Sequence, residues 1–205
     1  MRELTEQEQF WRGEFGNEYV ERNQGDTLLA ANIALFAKIL GHCQPVHSIL
    51  EFGTNCGMNL RALQQLTPKT KLLGVELNQK ACDQANQLGI ADVWQGSLFD
   101  YPIDEMVDLS FTKGVLIHLA PDLLHKAYAQ LYHSSRRYIL IAEYYNPSPV
   151  EVNYRGNQGK LFKRDFAGEM LDFYPDLQLR AYGFAYHRDP LFPQDDVNWF
   201  LLEKK

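Results

Sequence analysis

The sequence predicts a doubly wound α/β domain: a mostly parallel sheet of seven strands with an antiparallel last strand, and a helical lid in front of it. Three observations predict it. Short β-branched and apolar runs alternate with stretches of helical spacing, the first run leads directly into a glycine turn, and the last two strand-like runs have no helix between them. Alternation of this kind builds βαβ units, whose crossover helices cover the sheet on both faces and make its strands continuously apolar, as in Tyr138-Ile-Leu-Ile-Ala142.

Taken in order, residues 6–38 read as helical and carry Phe10, Trp11, Phe15 and Tyr19 at spacings that lay an aromatic face over the domain. Residues 1–40 are therefore expected to pack on a domain formed by 41–205. Strands are expected at 46–52, 71–77, 91–95, 107–112 and 137–145, with helices at 59–66, 79–88 and 121–134 between them. The loop Asn146-Pro-Ser-Pro149 and the Gly-containing polar stretch that ends near Gly159 read as a lid or active-site loop. A helix is expected at 164–174, and the two closing strands, 177–187 and 198–203, should pair antiparallel because no helix joins them.

Composition narrows the function. At 205 residues, with 45% apolar and 22% charged residues, the chain suits one soluble domain with a substantial core. Its net charge of -6 and lack of a Lys/Arg cluster argue against a nucleic-acid partner and favour a small-molecule substrate. The start, MRELTEQEQFWRGEF, is acidic where an export signal would be basic and then apolar, and no stretch approaches the roughly 20 apolar residues of a membrane helix. Cys43, Cys56 and Cys82 show no CxxC pairing, and no His/Cys/Asp/Glu spacing suggests a metal. A cytoplasmic location is expected.

The most informative stretch is Ser48-Ile-Leu-Glu-Phe-Gly-Thr-Asn-Cys-Gly-Met-Asn59, an apolar strand entering a Glu-x-Gly-x-x-x-Gly turn and then a helix. Gly53 allows a sharp turn at the strand's carboxyl end, and Gly57 allows a ligand close to the first helix turn. Asn55 stands where a dinucleotide fingerprint has its second glycine, which argues against a pyrophosphate cradle. Glu76, about 23 residues after Gly53, ends the second strand, with Leu77 beside it. A carboxylate there suits the two hydroxyls of a ribose. Ser97 and Leu98, after the third strand, would meet an adenine edge and face. Each piece alone also fits a plain strand–helix connection; the order of all three points to a nucleoside site.

This arrangement resembles the class I S-adenosylmethionine-dependent methyltransferases, from about residue 46 to the end. The resemblance implies a Rossmann-like fold, S-adenosylmethionine as cofactor, and a place for Glu51 near the methionine portion. The segments Phe10-Trp-Arg-Gly-Glu-Phe-Gly-Asn-Glu-Tyr-Val-Glu-Arg-Asn23, Glu143-Tyr-Tyr-Asn-Pro147, Gly159-Lys-Leu-Phe-Lys-Arg-Asp-Phe-Ala-Gly-Glu169 and His187-Arg-Asp-Pro190 look like the methylases associated with pseudaminic acid biosynthesis.

Methyl transfer from a sulfonium depends mainly on alignment and exclusion of water, and needs a base only for a hydroxyl or a protonated amine. Lys113 would line the site floor beside the methionine moiety. His118 is the leading general-base candidate, since an unperturbed imidazole titrates near neutrality, although its place at a helix start also fits a packing role. Asn146 and a tyrosine of the pair 144–145 would orient a polar acceptor, unless those tyrosines belong to the core. Tyr19, Arg22 and Asn23 would close over the cofactor, with Arg22 as a bidentate fork for the methionine carboxylate or simply a solvated helix residue. Arg155, Lys160, Lys163 and Arg164 are either anion ligands for the acceptor or a solvated charge run. Tyr182, a catalytic candidate, and its neighbours Tyr186 and His187 are further pocket residues, their aromatic faces suited to a sulfonium.

Three functions are compatible with this pattern. The first is methyl transfer to oxygen or nitrogen of a small polar metabolite, a nonulosonic-acid sugar among them. A second keeps the cofactor and closes its own amino group onto its γ-carbon, giving azetidine-2-carboxylate and methylthioadenosine. The third is a non-catalytic nucleoside-binding module, against which the Tyr/Asn-rich loop after the fifth strand argues.

Overall fold

The computed structural model describes residues 2–205 and begins with three helices: α1 (Glu6–Arg12), α2 (Glu14–Arg22) and α3 (Asp26–Leu40). Helix α1 starts at a capping box, in which Thr5 Oγ accepts from the Glu8 N–H and the Glu8 carboxylate accepts from the Thr5 N–H. The single helical stretch read at 6–38 is therefore divided, at Gly13 and again at 23–25. Leu35, Phe36 and Ile39 of α3 pack with residues of the sheet.

The βαβ series follows as β1 (Ser48–Phe52), α4 (Met58–Leu66), β2 (Lys71–Glu76), α5 (Gln79–Gln87), β3 (Asp92–Gln95), β4 (Val107–Lys113), α6 (Leu124–Ser134) and β5 (Ser135–Glu143). A short hairpin of β6 (Val150–Glu151) and β7 (Phe162–Lys163) precedes α7 (Phe166–Phe173), and β8 (Leu177–Ala185) and β9 (Val197–Lys204) end the chain. The main sheet has the order β3-β2-β1-β4-β5-β9-β8. Its neighbours are parallel except where β9 lies antiparallel to both β5 and β8. This is the doubly wound, seven-stranded fold that the strand pattern predicts.

Alternation along the strands divides the core. Ile49, Leu109, Phe111 and Leu140 face α3, α4 and α5, whereas Leu50, Phe52, Ile139 and Ile141 face α6 and α7. Each such side chain contributes about 1.5–3 kcal/mol by leaving water, so the register of β1, β4 and β5 is strongly specified: a one-residue slip would exchange the two faces. The order β2-β1-β4 reverses the direction of chain progress at β1, and it is there that open parallel sheets offer a crevice beyond their carboxyl ends. No helix of the described residues is long and apolar enough to cross a membrane.

Candidate active site

A cavity of about 560 Å³ lies in that crevice, walled by the carboxyl ends of β1, β2, β4 and β5 and roofed by α1 and α2. At its centre is the turn after β1, where the N–H groups of Gly53 and Thr54 both donate to the Val75 carbonyl, at 2.8 and 3.1 Å. Gly53 has φ +81° and lines the cavity; a Cβ there would lie 2.3 Å from Val115 Cγ2. Gly57, with φ +84°, does not line it. A Cβ on Gly57 would meet Leu88 Cδ1 at 2.8 Å, so this glycine brings α4 against the chain at the end of α5 and does not bring a ligand against α4, a correction to the sequence expectation.

Glu76 lies on the cavity wall with both oxygens fixed: Oε2 accepts from the Asn55 N–H and Oε1 from the Asn78 N–H, each at 2.7 Å. Burial pushes its pKa up, while the bonds from Asn78 and Asn55 favour the carboxylate. Each oxygen retains a lone pair for a further donor. Asn55, Leu77, Ser97 and Leu98 share this end of the wall. Ser97 Oγ donates to Glu8 Oε1 at 2.5 Å and accepts from Arg2 at 3.0 Å. Glu8 also lines the cavity and is only 4% exposed. Burial raises its pKa, but hydrogen bonds from Arg2, Ser97 and Thr5 prevail and hold it at about 2.

At the other end, Lys113 projects from the end of β4 into the cavity floor with no hydrogen bond or ion pair among the described residues. Burial lowers its pKa, opposed by Glu51, Asp195 and Glu143. Glu51 does not line the cavity. It is fully buried beneath the wall, turned toward α4, where Oε1 accepts from Asn59 Nδ2 at 2.6 Å. Burial pushes the Glu51 carboxyl up to about 8. Its influence on the cavity passes through Asn59, which is on the wall and whose Oδ1 has no partner.

His118 is on the wall, and its Nδ1 donates to the Lys160 carbonyl at 2.6 Å. A carbonyl can only accept, so Nδ1 carries the proton and Nε2 the free lone pair. Burial lowers the His118 pKa to about 4, against this hydrogen bond, leaving the ring neutral at pH 7. The turn before it is held by Glu143 Oε1, which accepts from the Val115 and Leu116 N–H groups at 3.0 and 3.1 Å. Burial nevertheless pushes Glu143 up to about 7. Trp11 packs beside His118 and Tyr19, with ring centroids at 4.5 and 5.1 Å, and Tyr154 lies 5.0 Å from His118.

Two proposed catalytic residues lie elsewhere. Tyr182 sits on the edge strand β8, is 70% exposed and stacks on Phe200 at 6.3 Å. Asn146 is off the cavity wall because β5 ends at Glu143, and its Nδ2 donates to the Ser148 carbonyl at 2.6 Å. Tyr144 takes the wall position. His187 is an exposed partner of Asp196 at 2.8 Å, and Tyr186 is exposed. Among the four basic residues of the lid, only Arg155 lines the cavity. Lys160 pairs with Glu6 and Arg164 with Glu169, both at 2.5 Å, while Lys163 lies over Tyr144. Tyr19, Arg22 and Asn23 do line it. Sequence reasoning missed Glu8, Asn59 and Asp195 as wall residues; the Thr5-x-x-Glu8 capping box was the one signal for Glu8, and it accounts for only part of that side chain's bonding.

No protein-family model matches the chain, and neither does any curated protein. Solved structures do match its fold. The plantazolicin methyltransferase BpumL, in complex with SAH, superposes with a TM-score of 0.67 at 16% identity, over 97% of this chain and 94% of that one. The magnesium protoporphyrin IX methyltransferase of Synechocystis PCC 6803, with bound SAH, gives 0.67 at 12% identity, over 97% and 98%. The 1,6-didemethyltoxoflavin-N1-methyltransferase of Burkholderia thailandensis, with bound 1,6-didemethyltoxoflavin and S-adenosylhomocysteine, gives 0.70 at 13%, over 100% and 93%. The chain thus has the class I methyltransferase fold along its whole length.

Proposed function

We propose that the chain is an S-adenosylmethionine-dependent methyltransferase acting on oxygen or nitrogen of a small polar metabolite. The observation that carries this reading is Glu76, a buried carboxylate at the end of β2, oriented by two backbone N–H groups and still able to accept from a ribose diol. The wall residues fit the rest of the cofactor. Ser97, Leu98 and Glu8 form a polar and apolar end for adenine, and Lys113 offers a free ammonium to the methionine carboxylate. Two buried polar atoms without partners, Asn59 Oδ1 and Trp11 Nε1, belong to residues of the same wall. When bound, the sulfonium supplies an electrophilic methyl group to a nucleophile in line with the C–S bond. His118 Nε2 accepts the proton from that nucleophile, Glu143 holds the turn that carries His118, and Trp11, Tyr19 and Tyr154 exclude water. The segment resemblances make a nonulosonic-acid sugar or its nucleotide-activated form the preferred acceptor.

The interlocked rings of Trp11, Tyr19, His118 and Tyr154 favour a second reading, in which a site walled by these rings needs no acceptor. There the deprotonated amino nitrogen of a bound S-adenosylmethionine would displace the sulfur from its own γ-carbon, the C–S electrons would leave with methylthioadenosine, and the proton would pass to solvent. Incubation with S-adenosylmethionine alone, followed by mass spectrometry, separates the readings. Intact, bound cofactor is the result expected for a methyltransferase lacking its acceptor; methylthioadenosine with azetidine-2-carboxylate, above the uncatalysed background, would overturn it in favour of the cyclase.

A further inference from the structure

The polar groups of the cavity wall are unevenly used. Of its acids, Glu8 is bonded by Arg2, Ser97 and Thr5, Glu76 by Asn55 and Asn78, and Glu143 by Val115 and Leu116. Among the described residues, Asp195 alone of these acids has no hydrogen-bond donor, at the exposed mouth. The cations are the reverse. Lys113 is unpaired on the floor, Arg155 has no carboxylate partner among the described residues, and Arg22 has only Glu18, at 3.9 Å with side chains 41% and 60% exposed, a pairing weakened by solvent. The unspent recognition capacity of the cavity is therefore mainly for anions.

Arg22 and Arg155 also line the same cavity, each over one of two adjoining aromatic rings. The Arg22 guanidinium lies 5.6 Å over the Phe15 ring and that of Arg155 lies 5.9 Å over the Tyr154 ring, while the two rings are in edge contact at 5.9 Å. Each guanidinium thus rests along an aromatic ring with no close carboxylate partner, which leaves its N–H groups for an oxyanion. The methionine portion of the cofactor carries one carboxylate, for which Lys113 suffices; the arginine pair remains for a second.

We infer that the acceptor carries a carboxylate, bound at the cavity mouth by Arg22 and Arg155, with Asp195 beside them to accept from a hydroxyl or ammonium of the same molecule. This rests on the methyltransferase reading. The test is a ligand-observed NMR titration of citrate, a hydroxylated carboxylate, into protein saturated with S-adenosylhomocysteine, with glycerol as the uncharged control. Citrate should bind and glycerol should not; R22A and R155A should each weaken citrate at least tenfold, R155K less, and R155A should leave S-adenosylhomocysteine affinity within twofold. Citrate that does not bind, or binds R155A as it binds the wild type, would overturn the carboxylate site alone. Failure of S-adenosylhomocysteine itself to bind would overturn the methyltransferase reading and the acceptor with it.

Discussion

His118 donates through Nδ1 to the backbone carbonyl of Lys160 at 2.6 Å, and the side chain of the same lysine reaches Glu6 of α1 at 2.5 Å. One residue of the hairpin arm thus sets the tautomer of the proposed base and anchors the front helix over it. Gln7 Nε2 adds a bond to the Gly159 carbonyl at 3.1 Å. In the same first turn of α1, Glu8 accepts from Ser97 Oγ at 2.5 Å. Through Glu8 the helix touches Ser97 at the proposed nucleoside end, and through Trp11 it packs on the proposed base, His118, so both depend on how α1 is seated.

Replacing His118 by Ala should lower turnover by about 10²–10⁴ if the acceptor needs deprotonation, with S-adenosylhomocysteine affinity unchanged. Because the imidazole titrates at about 4 in the folded protein, it contributes no inflection to the rate between pH 6 and 8. Its ordinary value of 6.5 applies to the unfolded chain, which therefore binds more protons between 6.5 and about 4. The stability linked to this group is full above 6.5 and lost as the pH falls toward 4. Thermal denaturation at a series of pH values should show that loss in the wild type and not in H118A.

Glu8 has the same sign at lower pH. Its folded pKa of about 2 lies below the ordinary 4.5, so its contribution is present above 4.5 and disappears as the pH falls toward 2. Melting temperatures of E8Q should be lower than wild type at pH 7, and the difference should shrink through that window. An equal difference at pH 7 and pH 3 would remove Glu8 from the ion-paired network.

The two glycines of the turn should separate stability from binding. Both have positive φ, and an added Cβ meets Leu88 at Gly57 but Val115, a cavity residue, at Gly53. G57A should lose about 1–3 kcal/mol of stability, measured by urea denaturation, and keep its S-adenosylhomocysteine affinity. G53A should lose both.

The strands, the glycine turn and the acid at Glu76 were legible in the sequence because each leaves a local pattern: an apolar run, a residue without Cβ, a carboxylate at a strand end. Glu51, Gly57, Asn146 and Tyr182 show where such patterns stop. Whether a strand-end side chain enters the cavity depends on the pleat and on the last paired residue: Glu51 turns toward Asn59, and β5 ends three residues before Asn146. The edge position of β8, which exposes Tyr182, is set by sheet order and not by anything near residue 182. Glu8 joins Ser97 across 89 positions, a separation over which one sequence carries no pairing signal.

Whether Glu76 organises a nucleoside site is decided by calorimetric titration of S-adenosylhomocysteine into the wild type and E76Q. The wild type should bind at one site per chain, and E76Q should lose roughly tenfold or more in affinity, in keeping with about 1.5–3 kcal/mol for hydrogen bonds to a charged group. No binding by the wild type, or equal binding by E76Q, would contradict it.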